Sequence, residues 1–123
     1  AGISFEKQVT PPDLIIEADL ELIEQVIINL IRNAAEAIHE VKDPMISLNA
    51  VKDDEGQVKI SVSDNGEGIN NEILEKIFIP FYSTKPGNSG IGLSLSRQIM
   101  MLHNGQIEVK SGSGENTTFT LVF

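Results

Sequence analysis

Apolar residues recur along this chain at two different periods, and the switches between them outline its elements. From Leu22 onward, Leu22, Ile23, Val26, Ile27, Leu30, Ile31, Ala34 and Ile38 keep helical spacing and predict an amphipathic helix. Asp19 precedes the run as its N-cap, and the helix is expected to stop near residues 40–44, because the position before Pro44 disfavours helical backbone. Residues 90–104 carry a second helical period, with Gly105 as the C-terminal stop. Alternating or β-rich runs predict strands at residues 3–9 and 14–18, separated by a Thr-Pro-Pro-Asp turn, and at residues 45–51 and 58–64, joined as a hairpin. Strands at residues 106–112 and 117–123 close the chain, and a short helix is expected around residues 70–78. Strands, helix, strands, helix, strands is the order of an α+β two-layer sandwich.

Composition narrows the function. The 123 residues suffice for one compact domain, with 41% hydrophobic and 22% charged residues. No cysteine is present, so disulfides and thiolate metal sites are excluded. Nine basic residues face eighteen acidic ones, a formal net charge of −9 that repels nucleic-acid phosphates and anionic lipid. Neither nucleic acid nor a membrane surface is therefore expected as a partner. An anionic ligand would need main-chain N–H groups and a divalent cation rather than a basic patch. No run reaches the roughly 18–20 apolar residues of a membrane span, and no signal peptide opens the chain, which predicts a cytoplasmic location. Because the first residues already have strand character, the chain is read as a piece of a larger protein.

Three stretches carry candidate chemistry. On the first helix Asn29, Asn33, Glu36 and Glu40 fall in one stripe opposite the apolar face. Two amides on successive turns can converge on one ligand, their oxygens suited to magnesium and their N–H groups to phosphate; a solvated polar face is the ordinary alternative. At residues 61–69 an alternating strand runs into Asp64-x-Gly66-x-Gly68, which places a carboxylate at a strand end before a tight turn. A plain Asp-Asn-Gly turn explains the same letters. At residues 85–99, Gly87, Gly90 and Gly92 lead a pliant loop into a helix N-terminus, an anion site by its free N–H groups and dipole, or simply a helix start. The glycine order is not the dinucleotide fingerprint, and no Gly-Lys of a Walker loop occurs.

In this order the three stretches resemble the catalytic, ATP-binding domain of sensor histidine kinases, within the superfamily of gyrase, the heat-shock chaperone and mismatch-repair ATPases. Residues 29–37 resemble the N box, 64–69 the first glycine box, 77–85 the F box and 87–99 the second glycine box, so the resemblance covers nearly the whole chain. It implies a Bergerat-type fold: a mixed, mostly antiparallel sheet with helices on one face. It implies ATP and Mg2+ as cofactors, with Asn33 coordinating the metal, Asn29 facing the phosphates and Asp64 accepting the adenine amino group. Gly66, Gly68 and Ile69 shape the adenine pocket, and Gly90, Ile91, Gly92 and Leu93 belong to the loop over the phosphates. Phe78, Phe81 and the following residues form a lid, ordered by nucleotide, with Lys85 as a phosphate contact; Thr118 on the closing strand completes the set. Asn88 and Asn116 stand where the family has glycine, and Tyr82 where it has phenylalanine.

The hydrolysing relatives carry a glutamate general base where this chain has Asn29, and a neutral amide takes no proton at pH 7. The resemblance therefore implies a phosphotransferase that delivers the γ-phosphate to a histidine. No residue is assigned as catalytic outright; Asn29 and Lys85 are the candidates. The acceptor histidine is expected on a separate helical hairpin, absent from residues 1–123, with a response regulator as indirect partner and a monomeric isolated domain. His39-Glu40-x-Lys42-x-Pro44 echoes an acceptor box, but it ends the N-box helix and is read as coincidence. His103, in the last turn of the second helix, is read as a C-terminal residue interacting with the dipole. Alternative readings are an anti-sigma-type protein serine kinase, a hydrolytic ATPase of the same superfamily and a non-enzymatic binding module.

Overall fold

The computed structural model describes residues 2–83 and 90–123. Five strands form one sheet: β1 (Ser4–Thr10), β2 (Met45–Lys52), β3 (Val58–Asp64), β4 (Gln106–Lys110) and β5 (Thr117–Val122), in the order β1-β2-β3-β5-β4. Only β1 and β2 run parallel; every other pair is antiparallel. Helices α1 (Leu20–Ala37) and α3 (Gly92–Leu102) pack on one face, with the single turn α2 (Asn71–Leu74) beside them. The expected α+β sandwich is the fold observed.

Period-2 patterning explains the two faces. Val58, Ile60 and Val62 on β3 and Phe119 and Leu121 on β5 point inward and stand opposite one another, Val62 against Phe119 and Ile60 against Leu121. They meet Ile23, Val26, Leu30 and Ala34 of α1 and Ile99 and Met100 of α3 in one core. The outward face between β3 and β5 is polar, where Ser61 and Thr120 share a hydrogen bond of 3.1 Å and Ser63 and Thr118 one of 2.8 Å. Burial on one side alone fixes this register, since a one-residue slip of β3 would turn Ser61 and Ser63 into the core.

The helix ends follow local chemistry. Asp19 caps α1 as expected, its carboxylate accepting from Leu22 N–H at 3.0 Å. Helix α3 ends in a Schellman turn: Asn104 takes the left-handed backbone (φ 58), its N–H bonds Met101 O, and Gly105 N–H bonds Met100 O at 2.9 Å. His103 joins the two helices, Nδ1 donating to Ile99 O at 2.8 Å and Nε2 accepting from Asp19 N–H at 3.0 Å.

Two expectations about elements are corrected. Residues 14–18 are no strand. Leu14 and Ile16 do pack on the core while Ile15 is exposed, so the alternation is present, but the segment pairs with no ladder. Alternation reports an extended chain with one buried side, and a strand needs a hydrogen-bonding neighbour as well. The short helix covers only Asn71–Leu74, capped by Asn70 on Ile73 N–H at 2.9 Å, before the chain turns.

Candidate functional site

Helix α1, the end of β3, the start of β5 and the start of α3 enclose a cavity of about 650 Å³, within the roughly 300–1,000 Å³ of small-molecule sites. Its construction follows from the parities just described. Asn29, Asn33 and Glu36 line one wall, three positions of one helical stripe. Glu40 of that stripe does not, because α1 ends at Ala37.

Asp64 lies on the opposite side as the next inward position of β3 after Val62, so strand parity itself carries a carboxylate into the cavity. It is only 6% exposed, and its Oδ1 accepts from Gly66 N–H at 2.9 Å. Burial of a carboxylate is costly unless hydrogen bonds replace water, and the turn after β3 supplies one. Gly66 itself is not on the lining; it packs against Ala37 O behind Asp64. Gly68 and Ile69 do line the cavity. Gly68 has φ +83, and a Cβ there would overlap the main-chain oxygens of Gly112 and Glu115, so only glycine fits.

That close approach ties the glycine turn to the β4–β5 loop. Gly114 N–H donates to Glu67 O at 2.6 Å, Ile69 N–H donates to Ser111 Oγ at 2.9 Å, and Ser111 Oγ meets Thr117 Oγ1 at 2.7 Å. Ser113, Gly114, Thr117 and Phe119 thereby join the lining. Residues 113–116 fall between the two expected closing strands, and the small side chains of Ser113 and Gly114 are the one signal in the sequence for this contact.

Of the two threonines that open β5, Thr117 lines the cavity and Thr118 does not. Thr117 pairs with Asp64 across the β3–β5 ladder and is 3% exposed, whereas Thr118 points outward to Ser63. Three further residues named from the resemblance are not on the lining. Phe78 packs beside the core with the Arg97 guanidinium 5.7 Å from its ring centroid. Phe81 is 75% exposed, and its N–H bonds Gly90 O at 3.1 Å. Ile91 is the exposed N-cap residue of α3. Lys85 and the rest of residues 84–89 lie outside the described residues.

Gly90, Gly92 and Leu93 line the cavity at the start of α3, whose first turn has no side-chain cap. Its N–H groups and the positive end of the dipole face a site whose described charged lining residues, Glu36, Asp64 and Glu67, are all acidic. Such a lining favours an anion that arrives with a cation over one that arrives alone. Asn29, Asn33 and Glu36 offer hard oxygens that fit magnesium, which is held by few protein oxygens together with phosphates. Among the described residues no group of three or more His, Cys, Asp or Glu is placed to hold a metal ion. None of the described helices is long and apolar enough to cross a membrane.

Known proteins share this fold. Residues 18–123 match the family described as histidine kinase-, DNA gyrase B- and HSP90-like ATPase. The sensor histidine kinase ZraS of Escherichia coli strain K12 is 42% identical over 119 residues, covering 97% of this chain and 24% of ZraS. The chain spans a quarter or less of the curated sensor kinases it matches. Among solved structures, the nucleotide-free catalytic domain of histidine kinase ThkA superposes with a TM-score of 0.85 at 34% identity, over 98% of this chain and 78% of that one. ThkA has also been solved with response regulator protein TrrA. Full-length ShkA in complex with AMPPNP superposes at 0.82 and 26% identity, over 98% of this chain and 25% of that one. With its sheet order, helix stripe and glycine turns all in place, the chain belongs to the histidine kinase-, DNA gyrase B- and HSP90-like ATPase family, and its relatives there are sensor histidine kinases.

Proposed function

We propose that this chain is the ATP-binding half of a sensor histidine kinase, holding Mg-ATP in the cavity and presenting its γ-phosphate to a histidine on a separate helical hairpin. One observation carries the reading: Asn29 and Asn33 on a single helix stripe face the same cavity as the buried Asp64. In this reading Asp64 accepts the adenine amino group. The first turn of α3 takes phosphate oxygens, and Asn33, seconded by Glu36, holds the metal. Magnesium, when bound, neutralises phosphate charge. Phosphoryl transfer asks mainly for positioning and charge neutralisation, which this chain's own groups can supply.

Asn29 favours transfer to a protein over hydrolysis. Its neutral amide cannot take a proton from water. The ShkA complex with AMPPNP supports a nucleotide, and the ThkA complex with TrrA supports a response regulator as a downstream partner. The hairpin belongs to the parent protein in this reading, and the isolated domain is a monomer in the cytoplasm.

Calorimetry with an ATP analogue and magnesium tests the site. Asp64→Asn should weaken binding by about 10- to 100-fold, because an amide can present a donor to a donor. Unchanged affinity removes Asp64 from the adenine contact. Rapid steady-state hydrolysis by the domain alone removes the transfer reading in favour of an ATPase.

A further inference from the structure

Asn29 enters the cavity already restrained. Its Nδ2 donates to Ser96 Oγ on α3 at 3.2 Å, and Ser96 Oγ donates to the main-chain oxygen of Gly92 at 2.8 Å. A serine hydroxyl has one proton, and a carbonyl only accepts, so that proton is committed to Gly92. Ser96 therefore meets Asn29 with a lone pair, and only the amide nitrogen can answer it. The proton count of one serine thus tells apart the two ends of a carboxamide that are alike in shape. At 2% exposure, Ser96 is out of reach of competing water.

Gly92 restrains the same amide independently. A Cβ at Gly92 would overlap Oδ1, Cγ and Nδ2 of Asn29, Oδ1 most closely, so the first turn of α3 lies directly on the carboxamide and packs against its oxygen without a hydrogen bond to it. Helix α3 thus grips Asn29 at two points one turn apart. Among the described residues no hydrogen bond goes to Asn29 Oδ1.

We propose that Ser96 is a positioning residue for Asn29, drawing its amide nitrogen onto α3 and leaving its oxygen as the group offered to a magnesium-bound triphosphate. The inference rests on the Mg-nucleotide reading above. Oxygen is the end that a hard cation or its bound water accepts, whereas an NH2 turned the same way would repel it. Ser96 touches no ligand; it acts through Asn29. The same contact links the helix over the phosphates to the helix that carries the metal ligands.

The test is calorimetric titration of AMPPNP, with excess magnesium and with EDTA, into the unaltered chain, Ser96→Ala, Asn29→Ala and the double variant. Alanine keeps the helix, and thermal melts show whether each protein is folded. Ser96→Ala should leave metal-free binding within about twofold and weaken magnesium-dependent binding about tenfold, as loss of a ligand's outer partner does. In the Asn29→Ala background it should have no further effect. Equal losses with and without magnesium, additive losses in the double variant, or no loss at all each overturn the proposal. A second measurement needs no ligand: the side-chain 15N–H2 resonance of Asn29 should move in Ser96→Ala, and an unmoved resonance overturns it too. If the unaltered chain binds AMPPNP under neither condition, the nucleotide reading itself fails and takes this inference with it.

Discussion

On β3 the inward positions Val58, Ile60 and Val62 are buried, and Asp64 is the next of the series. A carboxylate in that place has to find hydrogen bonds, and the Asp-x-Gly-x-Gly turn brings the Gly66 N–H to it. Across the ladder, Thr117 holds Ser111, which in turn holds Ile69 N–H. One step along the strand, Thr118 faces away. Replacing each threonine by valine separates the two roles while keeping the branched shape. Thr117→Val should weaken nucleotide binding by about fivefold, the value of roughly 1 kcal/mol for one hydrogen bond. Thr118→Val should leave nucleotide affinity unchanged in the same calorimetric measurement. The Asp64 signal was legible in the sequence as a strand running into glycines. The choice between Thr117 and Thr118 was not, because both carry the same side chain and only the register of β5 against β3 sets them on opposite faces.

At the scale of elements, α1 has two separate requirements. Its apolar stripe, with Val26 and Leu30 at most 1% exposed, joins the core, while the opposite stripe must stay polar to line the cavity. Asparagines cost helix propensity, and the cap at Asp19 offsets part of that cost. Asp19→Ala should lower the unfolding free energy by about 1 kcal/mol in a urea titration. The His103 bridge to Asp19 uses the main-chain N–H and survives the substitution. Helix α3 closes the site from the other side, with its uncapped first turn toward the cavity and its last turn clasped to α1 through His103. The two long helices were legible in the sequence because 3.6-residue periodicity persists over many residues. The segment at residues 14–18 misled because an extended stretch with one buried side copies the strand pattern without a partner strand.

For the molecule as a whole, under the function proposed above, a net charge of −9 and an acidic lining couple metal binding to nucleotide binding. Binding to the folded chain alone should raise its stability by mass action, about 2.7 kcal/mol at a free ligand concentration 100 times the dissociation constant. In a thermal melt that corresponds to a rise on the order of 10 °C with Mg-nucleotide, made smaller by EDTA. A melt unmoved by saturating nucleotide and magnesium contradicts a site of the proposed kind. The sequence by itself determined the fold class, the asparagine stripe and Asp64, because periodicity and turn chemistry are local and survive without knowledge of partners. Only the tertiary structure decided that Thr117 rather than Thr118 faces the cavity, that the β4–β5 loop forms part of its wall, and that Ser96 restrains Asn29. Each of these depends on which side chains meet across elements far apart in the chain, and such meetings are set by ladder register and helix packing rather than by any local preference.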